Sequence, residues 1–170
     1  MNQLEKFREI HTFIFDVDGV MTNNEILVLE GGELLRKMYV RDGYALKRAI
    51  QQGYKVGVIT GGKSEGVRKR LESLGVTDIF TGRTGGTEKL EAFEEFILEY
   101  ELDPQGILYM GDDFPDYPVM RRVGLPACPR NAIPEILEIA DYISSYNGGD
   151  GCVRDVIEKV LRLHDKWQDE

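Results

Sequence analysis

The sequence predicts a doubly wound α/β fold with a largely parallel sheet. Three observations carry this. Short apolar runs, HTFIF at 11–15, YKVGVIT at 54–60 and GILYMGDD at 106–113, read as buried strands. Amphipathic stretches of helical spacing separate them, the longest being TEKLEAFEEFILEYEL at 87–102. Polar residues gather directly after the apolar runs, the end of the sheet where such folds bind ligands.

The elements follow in order. HTFIF is the first strand. EILVLEGGELLRKMYV, 25–40, reads as two strands joined at Gly31 and Gly32, a hairpin signal. GYALKRAIQQ, 43–52, has helical spacing, and YKVGVIT returns to strand. KSEGVRKRLESLG, 63–75, is a helix stopped by Gly75. DIFTG is a short strand, and the long helix at 87–102 opens on Thr87 as N-cap. DYPVMRRVG is a short helix with Pro118 in its first turn. LPAC, AIPEILEIA and DYISS alternate strand, helix, strand, and GDGCVRDVIEKVLRLHDKW closes the chain as a helix. Residues 1–170 read as one domain with a small hairpin insertion at 25–40.

Composition narrows the function classes. A chain of 170 residues, 42% hydrophobic, suits one core. Its net charge of -9 repels nucleic acid, and no basic stripe offsets it. Cys128 and Cys152 lack metal-ligand spacing and read as small buried hydrophobes, which fits a reducing cytoplasm. The start MNQLEKFREIHTFIFD is too polar for a signal peptide. No apolar stretch nears the roughly 18 residues of a membrane span, so no membrane partner is expected. His11 and His164 read as non-catalytic, and Phe93, Phe96 and Tyr100 as core.

FDVDGVMTNN, 15–24, places Asp16 and Asp18 one residue apart at the end of an apolar run. Like charges repel, and in a low-dielectric pocket one carboxyl is pushed toward its protonated form. A cation or a reaction is the usual reason to tolerate this. Alone, such a pair is more often a solvated turn. Here Thr60 and Gly61 follow another apolar run, Asp112 and Asp113 follow GILYMG, and Lys89 opens the long helix. Carboxylates converging on one crevice form a hard-oxygen site that suits magnesium, and a metal offsets their repulsion. Lys89, the Thr60 hydroxyl and the amides of Gly61 and Gly62 add what a phosphoryl group needs. An aspartate can attack phosphorus to give an aspartyl-phosphate. A second carboxyl can protonate the leaving alcohol and then deprotonate the hydrolytic water. Gly19 lets the backbone approach the phosphate closely.

DVDGV, the apolar strand ending in Thr60, Lys89, and GDD at 111–113 occur in the order of the four motifs of the haloacid dehalogenase (HAD) phosphohydrolases, which the chain resembles from about Phe13 to Asp116. The resemblance implies a Rossmann-like HAD core. It makes Asp16 the nucleophile and Asp18 the acid/base, with Thr60 and Lys89 on the phosphoryl group. The implied magnesium ligands are the Asp16 side chain, the Asp18 carbonyl and Asp112, with Asp113 as a further ligand or a carboxylate behind them.

DVDGVMT, VRDGYALK, GDDFPDYPVM and GGDGCVRDV narrow the likeness almost end to end. They resemble the capless subfamily of 3-deoxy-D-manno-octulosonate 8-phosphate (KDO 8-phosphate) phosphatases. This implies a sugar-acid phosphate substrate, a role in lipopolysaccharide precursor synthesis and a homotetramer. The hairpin would support assembly, and a neighbour's C-terminal segment would partly cover each active site. By the same likeness Arg41, Asp42, Gly43, Lys47 and Arg70 join Gly19 and Gly61 in binding substrate. Two departures stand out. Asn23 and Asn24 follow Thr22 where the family usually carries an acidic residue, and Gly62 stands where it usually carries arginine. Three other readings stay open: the nine-carbon sugar acid KDN 9-phosphate, another small phosphomonoester, or a non-catalytic phosphate-binding or assembly module.

Overall fold

The computed structural model describes residues 1–168. A short helix α1 (Gln3–Arg8) precedes the first strand β1 (Thr12–Phe15). Sequence reading leaves α1 out, although Asn2 and Glu5 cap it reciprocally, each side chain binding the other's backbone N–H. The hairpin then forms from β2 (Leu27–Val28) and β3 (Leu34–Leu35), paired antiparallel and shorter than the sequence suggests. The chain continues through α2 (Val40–Gln51), β4 (Lys55–Ile59), α3 (Glu65–Ser73), β5 (Asp78–Phe80) and α4 (Gly86–Glu99). Its second half is β6 (Ile107–Met110), α5 (Tyr117–Met120), β7 (Leu125–Cys128), α6 (Pro134–Ile139), β8 (Tyr142–Ile143) and α7 (Cys152–Leu163).

Six strands make one parallel sheet in the order β5-β4-β1-β6-β7-β8. β1 lies between β4 and β6, so the chain winds outward in one direction from β4 and in the other from β6. The order reverses at β1, and its carboxyl end opens the crevice. Successive β1 side chains serve opposite faces, as the pleat requires. Phe13 and Phe15 join one core with Leu46 of α2 and Val153 and Ile157 of α7. Ile14 joins the other with Phe93 and Phe96 of α4 and Ile136 of α6. The expected doubly wound α/β fold is therefore present, and among the described residues no separate cap lies over the crevice.

Two helix starts differ from expectation. α2 begins at Val40, where β-forming residues suggest strand, because Asp42 in its first turn is buried against α7 and accepts the Arg154 N–H at 2.9 Å. α4 is capped at Gly85, not Thr87: the Glu88 carboxylate takes the backbone N–H groups of Thr84 and Gly85, both at 2.8 Å. Cys128 and Cys152 are free and buried.

Candidate active site

The carboxyl ends of β1, β4 and β6 meet the first turn of α4 around a cleft of about 170 Å³, lined by Asp16, Asp18, Gly61, Lys89, Asp112 and Asp113 among others. A cavity of about 500 Å³ lies near Lys6, His11 and Gly106, which precede strands at the amino ends of the sheet. It gathers no cluster of carboxylates comparable to the one at the cleft.

Local structure explains why the residues converge. After Asp16 the chain makes a tight turn in which the N–H groups of Val20, Met21 and Thr22 all point to the Val17 carbonyl. Gly19 sits in it at φ +88°, and a Cβ there would come 2.0 Å from Asp112 Oδ2. Any side chain at 19 would therefore displace Asp112, a stronger constraint than the backbone conformation alone. Gly148 closes on the same turn, its would-be Cβ 1.9 Å from the Gly19 carbonyl oxygen. The Gly149 N–H binds the Val20 carbonyl at 3.0 Å. The glycines before α7 thus brace the aspartate turn of their own chain.

Asp16 is buried, with Oδ1 accepting the Val17 N–H at 2.7 Å and Oδ2 lying 2.9 Å from Lys89 Nζ. Lys89 also donates to Asp116 Oδ1 at 2.8 Å. Asp116 takes the Tyr109 hydroxyl at 2.7 Å and the Asp112 N–H at 2.9 Å. Asp116 is therefore the fixed anion that aims Lys89 at Asp16. Sequence reading missed it. Its only signal was a third aspartate in GDDFPD, and its burial depends on the 3-10 turn at Phe114–Asp116. Asp113, expected near the metal, lines the cleft but is exposed, and its side chain caps that turn by accepting the Phe114 N–H at 2.7 Å. Thr60 is buried, and its Oγ1 accepts the Gly62 N–H at 3.1 Å.

Burial, reinforced by Asp116, raises the Asp16 carboxyl well above its ordinary range, while Lys89 pulls it down. Burial disfavours the Lys89 ammonium, but Asp16 and Asp116 outweigh it and keep the cation. Burial and then Asp116 and Asp113 push Asp112 up to about 7. Oxygens of Asp16, Asp112 and Asp116 lie within 4.8 Å of one another. Asp112 Oδ1 is buried with no hydrogen-bond partner among the described residues. A buried carboxylate oxygen left unpaired inside an acidic group fits a hard divalent cation.

The remaining expected residues divide. Gly61 lines the cleft. Arg41 instead borders a separate cavity with Tyr39, Tyr146 and Arg154. Asp42 is buried under α7, and a Cβ on Gly43 would meet Arg70 Nη2 at 2.6 Å. Lys47 is on the exposed side of α2. The packing of α2 on α7 and α3 holds this set outside the cleft of its own chain. Arg36, absent from the sequence expectations, does reach the cleft from just beyond β3: its Nε binds Asp18 Oδ1 at 2.6 Å and its Nη2 binds Oδ2 at 3.2 Å.

Comparison with known proteins places the fold and the chain in a family. Residues 83–156 match the family described as haloacid dehalogenase-like hydrolase. The 3-deoxy-D-manno-octulosonate 8-phosphate phosphatase of Escherichia coli K12 is 36% identical over 163 residues, 96% of this chain and 85% of that one. The crystal structure of the Yersinia pestis phosphatase of the same name superposes with a TM-score of 0.92 at 35% identity, covering 96% of this chain and 87% of that chain. The Moraxella catarrhalis phosphatase, solved with magnesium ion, phosphate ion and KDO, superposes with a TM-score of 0.91 at 30% identity, covering 96% and 92%.

Proposed function

The chain belongs to the family of 3-deoxy-D-manno-octulosonate 8-phosphate phosphatases within the haloacid dehalogenase-like hydrolases, and from that premise we propose that it hydrolyses KDO 8-phosphate to KDO and phosphate. The observation that carries this is the buried Asp16–Lys89–Asp116 chain at a strand end, beside the unpaired Asp112 oxygen.

The Asp16 carboxylate is the attacking group. It forms the bond to phosphorus as the bond to the sugar's C8 oxygen breaks. Asp18 gives its proton to the departing alkoxide. It then takes a proton from water, which attacks phosphorus and releases Asp16 from the aspartyl-phosphate. The Thr60 hydroxyl, positioned by the Gly62 N–H, and the Gly61 amide bind phosphoryl oxygens, and Lys89 neutralises the charge beside Asp16. Asp16, Asp112 and the Asp18 carbonyl would hold magnesium, with Asp113 close by, and the ion supplies positive charge to the carboxylates and the phosphoryl group. A cleft of about 170 Å³ takes a phosphoryl group and little more, so the sugar lies across its rim.

The chain acts as one phosphatase domain in the cytoplasm. It assembles as a homotetramer through the hairpin, and a neighbouring copy covers the rim. No helix is long and apolar enough to cross a membrane among the described residues. Phosphate release should be measured, with and without magnesium, from the eight-carbon and nine-carbon sugar-acid phosphates and from hexose phosphates. Magnesium-dependent preference for the eight-carbon acid is expected. Equal, slow turnover of all of them would overturn the substrate, and no turnover would overturn the enzyme.

A further inference from the structure

The hairpin sends one charged side chain into the cleft. Arg36 stands just after β3, and its side chain is only 8% exposed although β3 itself is exposed. The guanidinium holds Asp18 side-on, through Nε at 2.6 Å and Nη2 at 3.2 Å. Such a fork has five N–H donors and a second edge able to hold another carboxylate. Among the described residues its other three N–H groups have no partner.

Gly62 explains how Arg36 fits. A Cβ at 62 would come within 3.3 Å of Arg36 Nη2, 3.6 Å of Thr60 Oγ1 and 3.7 Å of Asp18 Oδ2. The guanidinium therefore lies over the bare backbone of Gly62, between the phosphoryl donors and Asp18. The cleft already contains a cation for the phosphoryl end, Lys89, held between Asp16 and Asp116. Arg36 is a second cation at the rim, where the non-phosphorylated part of a substrate must lie. A planar guanidinium with an open edge suits a planar carboxylate better than a neutral sugar hydroxyl.

We propose that Arg36 is a specificity-determining residue that binds the carboxylate of the substrate at the mouth of the cleft while holding Asp18 with its other edge. The proposal rests on the sugar-acid reading above, and it generalises it: discrimination belongs to the acidic function, whatever the carbon skeleton.

The test compares wild type with Arg36→Met and Arg36→Lys, using KDO 8-phosphate against arabinose 5-phosphate, and 3-phosphoglycerate against glycerol 3-phosphate. The readout is the ratio of kcat/KM within each carboxylated and uncarboxylated pair. Arg36→Met should lower that ratio on the order of 10- to 100-fold, mostly through KM, and Arg36→Lys should restore only part of it. A role confined to orienting Asp18 would lower both members of a pair together and leave the ratio unchanged, which would overturn the proposal. If wild type ignores KDO 8-phosphate but Arg36→Met still lowers the 3-phosphoglycerate ratio, the substrate assignment fails and the proposal stands. If wild type turns over nothing, calorimetric titration with the free eight-carbon acid decides. Weaker binding to Arg36→Met supports the carboxylate contact, and equal binding removes it.

Discussion

Asp112 and Asp42 are both buried aspartates, 5% and 3% exposed, and burial pushes both up to about 7. Each has one buried oxygen without a hydrogen-bond partner among the described residues. Judged by a perturbed carboxyl alone they are indistinguishable. Their neighbours separate them. Asp112 ends a strand among Asp16, Asp116 and Lys89, with cleft space beside it. Asp42 lies between two helices, where one oxygen accepts the Arg154 N–H at the start of α7. The first is placed where charge can be exchanged with a ligand, the second where it fixes a helix. A perturbed pKa marks function only when the surrounding groups converge on open space.

The sharpest contrast is in turnover. Asp16→Asn should remove at least about 10³-fold of kcat, since the amide cannot form the aspartyl-phosphate. Its melting temperature should stay within a few degrees of wild type, because volume and the Lys89–Asp116 pair are kept. Unchanged activity would remove Asp16 as nucleophile. Asp42→Asn should leave kcat within a few-fold. If it cost as much as Asp112→Asn, the distinction between the two aspartates would collapse.

Magnesium should divide the same pair by stability. A ligand at a hundred times its dissociation constant stabilises by about 2.7 kcal/mol, roughly 5–10 °C for a chain of this size. Differential scanning fluorimetry should show that shift in wild type and Asp42→Asn but not in Asp112→Asn. An undiminished shift in Asp112→Asn would place the ion elsewhere.

Acidity gives a smaller effect with a definite sign. Asp42 rises from 3.8 in the unfolded chain to about 7 in the fold. The folded state therefore holds its proton more tightly. The resulting stability is complete below about pH 4 and is lost as the pH climbs through 7. Asp42→Asn keeps an oxygen for the Arg154 N–H but cannot ionise. Its stability, followed by thermal melting, should be close to that of wild type at pH 4.5 and greater than that of wild type at pH 8, by up to a few kcal/mol. A constant difference across that range would mean that Asp42 is not held protonated.

These contrasts also show what the sequence could reveal. Strands of apolar residues ended by aspartate or threonine were legible, because a parallel sheet buries both faces and leaves polar groups only at its ends. Asp16, Asp18, Thr60, Lys89 and Asp112 therefore emerged with the fold. Asp116 did not, because its importance comes from the Tyr109 hydroxyl and from Lys89, 27 residues away. Arg36 did not, because a charged residue beside a hairpin reads as solvated, and its pairing with Asp18 spans 18 residues of chain. Asp42 was visible in VRDGYALK, where the family likeness implied a ligand role, and in its own chain α7 covers it in space. Local pattern fixes which residues end a strand, and long-range packing decides which charges meet.

The hairpin offers the mildest perturbation and the most informative one about assembly. Leu27, Val28, Leu34 and Leu35 are 62%, 65%, 48% and 47% exposed, so neither face of this two-stranded element is buried in its own chain. A lone hairpin is marginal in water, and these four exposed aliphatic side chains are the ones the proposed assembly would cover. Leu27 and Leu35 face each other across the hairpin, so Leu27→Ser with Leu35→Ser loosens that pair but removes no side chain of either core cluster, and the fold should lose no more than about 1 kcal/mol. Light scattering should nevertheless report a smaller assembly than wild type. Arg36 follows Leu35 directly, so loosening the hairpin should also raise KM for an acidic substrate while leaving magnesium stabilisation intact. A double variant that keeps both its assembly and its KM would show that the hairpin's apolar surface neither joins copies nor steadies Arg36, and would separate the rim of the cleft from the hairpin that delivers it.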